Sequence, residues 1–480
     1  MVTFRALLTP LALVPLAAPA SAQCGLERIL PEGGFEDTIA WGVSDDGTTV
    51  VGASYFGLGP ADPSAFTWTA ATGLVPLTPF GSGASEAFAV SADGSVIVGR
   101  ASDSGSDQPV LWSAGAAPVS LLDGTGLGGS GQATDVSADG STVVGWTFRS
   151  GTIRSFRWTA SGGFFELPLP IGFNRVRAEG VSADGSVVVG SMQNGFSAPR
   201  AYRWTAGGGF VDITPAGASS AAALDVSADG ATVVGHASFP GAGQRGVRWD
   251  ASGAASTLGN AFGSSSSARA VSSDGRSVAG SANSAFDAST WSPETGGVDA
   301  GVWVPDGGYF TDVSDGGVHV GLTYYGPVGE SYAIVWRASE VGATYCEDAV
   351  PNSTGCVGRL SAEGSASVAS NDLTLRASSL PPSVFGLFLS ARAIGSTPQP
   401  GGSTGTLCLA GPIGRFNAPG QVQSSGAAGE LLLALDLTAL PTPNALVAAA
   451  TGETWSFQAW HRTPGGTGSN FTDAVALTLR

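Results

Sequence analysis

The sequence predicts an all-β protein: a seven-bladed β-propeller closed by the N-terminal strand, followed by a jelly-roll-like β-sandwich. A motif of Val-Ser-x-Asp-Gly, a β-branched run and Gly recurs seven times, with valine spacings of 47, 46, 45, 45, 45 and 42 residues. A period in the forties fits four short strands per unit, and one such unit cannot bury its own apolar faces. The copies lie at 43–52, 90–99, 136–145, 181–190, 226–235, 271–280 and, in degenerate form, 313–321.

The first 22 residues have the pattern of a secretory signal peptide. Arg5 precedes an apolar run at 7–18, and Ala-Ser-Ala at 20–22 provides a small-residue cleavage site before Gln23. Cys24 follows, but Gln23 departs from the small residue that a lipidation motif has at that position. We therefore expect a secreted, cell-surface or periplasmic product. No later apolar stretch reaches the roughly 18 residues of a membrane helix, so no membrane span is expected.

The composition disfavours one class of partner. All 21 basic residues are Arg, against 38 acidic residues, which gives a net charge of −17. Nucleic acid needs clustered basic side chains, so it is not an expected partner. The 72 Gly and 28 Pro, in a chain that is 43% hydrophobic, fit many tight turns between half-buried strands rather than disorder.

Four strands can be placed within one repeat unit. In the second repeat they are expected at 87–91, 95–100, 109–113 and 117–122, and Gly94 accepts the positive φ that closes the first hairpin. A tryptophan follows each repeat valine by 20 to 25 residues, and we interpret this column as packing between blades. A ligand-stacking role is the alternative. The column comprises Trp68, Trp112, Trp158, Trp204, Trp249, Trp291 and Trp336.

The N-terminus is expected to close the ring. The seventh repeat lacks a Gly-Leu strand after Trp336, whereas Gly-Leu at 25–26 precedes Val43 much as Gly-Leu at 73–74 precedes Val90. Residues 25–30 should therefore supply the outer strand of the last blade, since closure removes exposed sheet edges.

The repeat resembles two known propeller families. The pattern Ala-x-x-Val-Ser-x-Asp-Gly-x-x-Val-Val-Gly, followed by an aromatic-x-Trp strand, is similar to the HAF-type extracellular repeat of secreted bacterial proteins. Its Ser-x-Asp-Gly turn, where many HAF members carry Asn, also resembles the Ser-Pro-Asp-Gly repeats found beside prolyl oligopeptidases and in Tol-associated proteins. Both resemblances imply a propeller, and neither implies a defined activity.

Residues 344–480 are expected to form a second domain after the propeller at 23–343. The tail resembles a C-terminal domain of secreted proteins from planctomycete-like bacteria through Pro-Asn-Ser-Thr-Gly at 351–355, Leu-Cys-Leu at 407–409, Glu-Thr-Trp at 453–455 and Ser-Asn-Phe-Thr-Asp at 469–473. We know no established activity for that domain. Strands are expected at 359–369, 373–377, 385–393, 405–410, 429–437, 454–462 and 474–479.

An exported chain with four cysteines is expected to carry disulfides, for which three connectivities exist. The resemblance of the tail implies a Cys346–Cys408 pair, because the related domain carries counterparts of both. That leaves Cys24 with Cys356.

Few residues have a pattern typical of catalysis or metal binding. His236, His319 and His461 lie in different units, and without a Cys-x-x-Cys or His-x-x-x-His spacing neither a metal site nor another cofactor is expected. The turn carboxylates at 93, 139, 184 and 229 are interpreted as caps of their own backbone, with calcium binding as the alternative. Glu179 and Arg269 break the repeat pattern on inner strands without forming a recognisable pair.

Three carboxylates are the candidates for ligand binding. Asp135, Asp225 and Asp312 precede the repeat valine in the third, fifth and seventh units, on the strand expected to lie nearest the central channel. They could bind a cation or polar ligand, or each could accept hydrogen bonds from a neighbouring blade's amides. The favoured function is a non-catalytic binding or scaffold protein for an unknown extracellular protein or glycan. The alternative is a polysaccharide-acting enzyme with an acidic site at the propeller mouth.

Overall fold

The computed structural model describes most of the chain after the N-terminus. The described residues are 26–31, 37–55, 63–81, 83–103, 105–258, 265–282, 287–292, 296–299, 307–315, 317–325, 330–337, 343–346, 349–354, 356–364, 366–466 and 468–480. The expected signal peptide at 1–22, Gln23 and Cys24 lie outside them. Within the described part, no helix is long and apolar enough to cross a membrane.

Each of the first six repeats contributes four antiparallel strands that lie side by side in chain order. The third and fourth of these sheets are joined by one parallel pair, Ile153 opposite Arg175. After β1 (Leu26–Ile29), the first three sheets are β2 (Asp37–Val43), β3 (Val50–Tyr55), β4 (Ser64–Thr69) and β5 (Gly73–Pro76); β6 (Ser85–Val90), β7 (Val96–Asp103), β8 (Ser106–Ser113) and β9 (Val119–Ser120); and β10 (Ser130–Val136), β11 (Thr142–Arg149), β12 (Thr152–Thr159) and β13 (Gly163–Glu166).

The next three sheets repeat this order. They are β14 (Arg175–Val181), β15 (Val187–Gln193), β16 (Arg200–Thr205) and β17 (Gly209–Asp212); β18 (Ser220–Val226), β19 (Val233–Phe239), β20 (Gly243–Trp249) and β21 (Ala255–Thr257); and β22 (Ser267–Val271), β23 (Val278–Ala282), β24 (Asp287–Ser292) and β25 (Gly296–Asp299). The last repeat contributes β26 (Gly308–Val313), β27 (Val318–Tyr325) and β28 (Glu330–Arg337).

The Ser-x-Asp-Gly segments close the hairpin between the first and second strands. In the second repeat, the Ser91 hydroxyl and the Ser95 N–H both donate to Asp93 Oδ1, over 2.8 and 2.9 Å. The Val96 N–H donates to Ser91 Oγ over 3.0 Å, and Gly94 has a φ of 75°. Corresponding bonds recur at 44–49, 137–142, 182–187, 227–232 and 272–277. The expected capping role of the turn carboxylates is therefore confirmed.

The second glycine of the motif is explained by a β-bulge. The register between β10 and β11 shifts between Ala133 and Asp135, which presses the first strand against Gly145. A Cβ on Gly145 would lie 2.1 Å from the carbonyl oxygen of Gln132, so no side chain fits there. The same approach, at 1.9–2.1 Å, occurs at Gly52, Gly99, Gly190, Gly235, Gly280 and Gly321.

The tryptophan column packs between successive sheets, as interpreted from the sequence. Trp112 is 4% exposed and lies in a core cluster that also contains Val51 and Ala65 of the preceding sheet. Its indole N–H donates to the Thr78 carbonyl over 2.9 Å. Trp249 is fully buried and donates in the same way to Ile213 over 2.6 Å. The polar atom of each indole is thus satisfied at the joint between two sheets.

The first and last sheets of the repeat region are joined. β1 pairs antiparallel with β28, from Leu26 opposite Trp336 to Ile29 opposite Ala333. β2 packs against β26, β27 and β28, and the Ala333 N–H donates to Thr38 Oγ1 over 2.9 Å. The strand pairing expected for the N-terminal segment is confirmed over Leu26–Ile29.

The tail is built of further antiparallel strands. A six-stranded sheet contains β29 (Ala343–Tyr345), β32 (Phe385–Ala391), β35 (Gly414–Arg415), β36 (Gln423–Ser424), β40 (Thr454–Arg462) and β41 (Ser469–Thr478). A three-stranded sheet contains β30 (Arg359–Glu363), β31 (Thr374–Ser378) and β37 (Leu431–Ala434). Two hairpins complete it: β33 (Ala393–Pro398) with β34 (Thr406–Ala410), and β38 (Leu440–Pro441) with β39 (Leu446–Val447). A 3-10 turn spans Pro400–Gly402.

One apolar core joins the two larger sheets of the tail, with Leu360 and Leu375 from one and Phe388 and Phe457 from the other. The Cys346 and Cys408 sulfurs lie 1.83 Å apart, which is close enough for the expected disulfide. Cys356 is buried, and its expected partner Cys24 lies outside the described residues. That second pairing stays a prediction.

Candidate functional site

The first strands of the repeats pack against one another in succession. Each contacts the first strand of the next sheet, and β26 contacts β2. We call the side with the Ser-x-Asp-Gly hairpins the turn face. Because the strands alternate in direction, loops between second and third strands, and between one sheet and the next, lie at the opposite side, the loop face.

The three predicted carboxylates bind backbone amides rather than pointing freely into a site. Asp135 accepts the N–H of Val136 at Oδ1 and that of Val181, in the next sheet, at Oδ2, both over 2.7 Å. Asp225 does the same with Val226 over 2.7 Å and Val271 over 2.8 Å. Asp312 accepts from Val313 and Val43, both over 2.8 Å.

This pattern explains why carboxylates occur in the third, fifth and seventh repeats. One carboxylate has two oxygens and so serves the repeat valines of two adjacent sheets, its own and the next. Three carboxylates then serve six of the seven repeat-valine amides. The remaining amide is that of Val90, which follows Ala89, and no carboxylate accepts from it among the described residues. These contacts support the structural interpretation of the three residues.

Burial raises the pKa of all three carboxyl groups. Burial is the main cause for Asp225, whose pKa rises to about 6, and for Asp312, whose pKa rises to about 7. For Asp135 the pKa is also raised, by burial and then by the charge of Asp225. The amide hydrogen bonds oppose the shift in each case. No group of three or more His, Cys, Asp or Glu within the described residues is arranged to hold a metal ion.

The other pattern-breaking residues are dispersed. His319 is buried between the rings of Phe310 and Trp336, each with its centroid 5.0 Å away, and burial lowers its pKa to about 4. His236 lies beside Ser267, where burial and then the charge of Arg269 lower its pKa.

The remaining predicted residues also lie apart. The Arg269 guanidinium stacks on the ring of Tyr309 at 4.3 Å. His461 is buried in the tail, with Nδ1 2.9 Å from the Arg462 carbonyl. Glu179 is half-buried on the inner side, and burial raises its pKa to about 7 while Arg177 opposes this.

Sequence reasoning missed a surface at the loop face of the third and fourth sheets. Arg177 stacks on the ring of Trp146 with 4.5 Å between guanidinium carbon and centroid, and Arg175 stacks on Phe196 at 5.4 Å. Phe196 is 97% exposed, and Ile171, in the loop between these sheets, is fully exposed. We call these five residues the arginine–aromatic surface.

The surroundings of this surface are basic although the chain is acidic. Residues 149–203 contain seven arginines and three carboxylates, a net charge of +4, against −17 for the whole chain. Nearby, Arg149 and Arg154 share Glu166, and Arg200 pairs with Asp212. Neither Arg175 nor Arg177 forms an ion pair with a carboxylate among the described residues. A clustering of charge in one segment could have been found from the sequence.

The tail carries a separate groove of about 470 Å³. It lies between the β33–β34 hairpin and the six-stranded sheet, and Arg415 is its charged lining residue. Its apolar lining comprises Leu387, Leu389, Pro400, Leu407, Ile413, Trp460 and Phe471.

Comparisons with known proteins show no match to any family model or curated protein. Among solved structures, the chain is similar to an oligogalacturonate lyase in complex with manganese, with 14% identity, TM-score 0.46 and coverage of 66% of this chain and 95% of that one. It is similar to the Cps50 (Swd1) β-propeller domain of Myceliophteria thermophila, with 12% identity, TM-score 0.42 and coverage of 65% and 100%.

TolB from Acinetobacter baumannii gives 18% identity and a TM-score of 0.34, over 45% of this chain and 53% of TolB. This chain thus spans about half the length of that protein. At these identities and scores, the likenesses carry no information about activity.

Proposed function

We propose that this chain is a secreted, non-catalytic binding or scaffold protein, with a closed seven-bladed propeller at 23–343 and a β-sandwich at 344–480. The observation that carries the proposal is the engagement of the inner carboxylates. Asp135, Asp225 and Asp312 each accept two backbone amides, so their oxygens already have partners. Export rests on the signal-peptide pattern at 1–22.

Ring closure is supported by contacts between the first and last sheets. Besides the β1–β28 pairing, Asp312 binds Val43 and Thr311 Oγ1 donates to the Ala40 carbonyl over 2.8 Å. The same Thr-to-Ala bond joins Thr134 to Ala178 over 2.9 Å, between the third and fourth sheets. The first and last sheets are therefore connected by the same type of hydrogen bond that connects the third and fourth sheets. The resemblance to HAF-type repeats and to the planctomycete-like domain belongs to this proposal.

The alternative is a polysaccharide-acting enzyme, for which Glu179 is the best acid candidate because its pKa rises to about 7 through burial. The test incubates the mature protein with acidic and neutral polysaccharides and measures new reducing ends and unsaturated ends. We expect none above a heat-denatured control. Turnover that Glu179→Gln abolished, with an unchanged unfolding midpoint, would overturn the non-catalytic proposal.

A further inference from the structure

We propose that the arginine–aromatic surface binds a polysaccharide that carries carboxylates, such as a polyuronate. This rests on the proposed binding function and names its ligand class. Arg175 and Arg177 are two residues apart on β14, so both side chains leave the same face of the strand. Each guanidinium lies on an aromatic ring, at 5.4 Å on Phe196 and 4.5 Å on Trp146. Stacking orients a guanidinium while leaving its edge N–H groups available to a carboxylate.

The pairing of the neighbouring arginines distinguishes these two. Arg149 and Arg154 share the Glu166 carboxylate, and Arg200 pairs with Asp212. The other two arginines of the segment, Arg157 and Arg203, donate hydrogen bonds to protein oxygens at Gly185, Thr142 and Gly230. Arg175 and Arg177 form no ion pair with a carboxylate among the described residues, although the chain contains 38 acidic residues. Glu179, on which Arg177 acts electrostatically, has a pKa of about 7 and is therefore partly protonated at neutral pH. The guanidinium groups of Arg175 and Arg177 are therefore available to a negatively charged ligand.

The apolar part of the surface favours a glycan over other polyanions. Phe196 and Ile171 are almost wholly exposed beside the arginines, and an exposed aromatic ring offers a face to the C–H face of a sugar. Such exposed apolar side chains in a soluble protein mark interaction sites when they form a patch. The net charge of −17 repels any polyanion, and it repels duplex nucleic acid more than a polyuronate because the duplex carries two phosphates per base pair against one carboxylate per sugar.

The test titrates the full mature chain with sodium alginate, a polyuronate, and with its propylene glycol ester, in which the carboxylates are masked. We expect saturable binding of alginate that weakens between 50 and 500 mM salt and at least tenfold weaker binding of the ester. The Arg175→Gln/Arg177→Gln variant should lose at least tenfold in affinity for alginate. The matched control is Arg392→Gln/Arg462→Gln, which removes the same charge from two tail arginines that stack on Trp455 and Trp460.

Phe196→Ser should weaken alginate binding severalfold, whereas Leu446→Ser, at a tail position that is 67% exposed, should not. Equal affinities for the parent and the Arg175/Arg177 variant would overturn the proposed site. Tighter binding of poly-L-glutamate or oligothymidylate than of alginate would overturn the ligand class in favour of an acidic protein or a nucleic acid. Turnover of alginate would overturn the non-catalytic function but not the site, so the two failures are distinguishable.

Discussion

At the scale of single residues, the inner carboxylates act as ties between sheets. Asp225 accepts two amides that would otherwise be buried without a partner. Other repeats carry Gly or Ala at this position, as at Gly180 and Ala270, so an alanine fits the backbone there. The three residues lie on the first strands of their repeats, where the sequence predicted them, and the sequence offered two interpretations. Only the structure showed which oxygens meet which amides, because that depends on the distance between neighbouring sheets.

We expect Asp225→Ala to lower the free energy of unfolding by about 1–3 kcal/mol for each of the two amides that lose their acceptor. Chemical denaturation at pH 7 measures this. The control, Asp123→Ala, changes an exposed carboxylate and should stay within about 0.5 kcal/mol of the parent. Unchanged stability of Asp225→Ala would show that the carboxylate is not a structural tie.

The raised pKa of Asp312 predicts a pH dependence with a definite sign. Burial, followed by the charge of Asp225, raises it to about 7 in the folded protein, against roughly 3.9 for an exposed Asp. The folded state therefore binds the proton more tightly, and this group's contribution to stability falls as the pH rises from about 4 to 7. The three histidines have a lowered pKa in the folded state, so their contribution to stability rises with pH up to about pH 6.5. This opposes the effect of Asp312, and a variant is needed to measure the Asp312 contribution alone.

Asp312→Asn cannot titrate, so we expect its free energy of unfolding to rise relative to that of the parent between pH 5 and pH 8. Denaturation curves at pH 5, 6, 7 and 8 provide the comparison, in which the histidine contributions cancel. Asp123→Asn, which removes a carboxyl group at an exposed position, is the control. A difference between Asp312→Asn and the parent that stays constant from pH 5 to pH 8 would mean that the pKa of Asp312 is not raised.

At the scale of elements, the bulge and its glycine form the most constrained part of each repeat. Gly145→Ala places a Cβ 2.1 Å from the Gln132 carbonyl oxygen, and backbone must move to make room. We expect a loss of about 1–3 kcal/mol, measured by thermal or chemical unfolding. Gly128→Ala, where a Cβ meets nothing within 4 Å, is the control. Equal unfolding midpoints for Gly145→Ala and Gly128→Ala would refute the close approach.

The tail hairpin β33–β34 depends on its connection to the large sheet. The Cys408 N–H donates to Gln458 Oε1 over 2.9 Å, and Gln458 Nε2 donates to the Thr406 carbonyl over 3.0 Å. The Cys346 sulfur lies 4.0 Å from the same Nε2. Non-reducing peptide mapping should yield a Cys346–Cys408 peptide, with Cys24–Cys356 as the second. Recovery of Cys346 linked to Cys356 would contradict the expected pairing.

Strands that show apolar–polar alternation or the repeated turn motif were predictable from the sequence, and strands without either were not. The expected strand at 454–462 matches β40 at both ends, and the hairpins of the repeats are placed within a few residues. β33 escaped prediction because its side chains are mostly exposed and it contains Gly395 and Pro398, so no alternation marks it. Short strands such as β35 are held by their neighbours rather than by their own sequence.

At the scale of the whole molecule, the sequence repeat determines the arrangement of the sheets. Residues that depart from the repeat form the arginine–aromatic surface. The period predicted the sheets, and the missing strand of the last repeat predicted the role of the N-terminus. The arginine–aromatic surface was missed because its exposed loops have no repeated pattern. Its members, such as Arg177 and Trp146, come from different repeats. Their proximity follows only from the packing of the third sheet on the fourth.

Hydrogen–deuterium exchange of β28 tests whether the N-terminal strand closes the ring. In the parent, β28 lies between β27 and β1, so its amides should be strongly protected. Removing residues 23–31 should expose the edge of β28 and speed its exchange, while β20 in the fifth sheet remains protected as a control. A synthetic 23–31 peptide should restore the protection. Unchanged exchange of β28 after the deletion would contradict closure by the N-terminal strand.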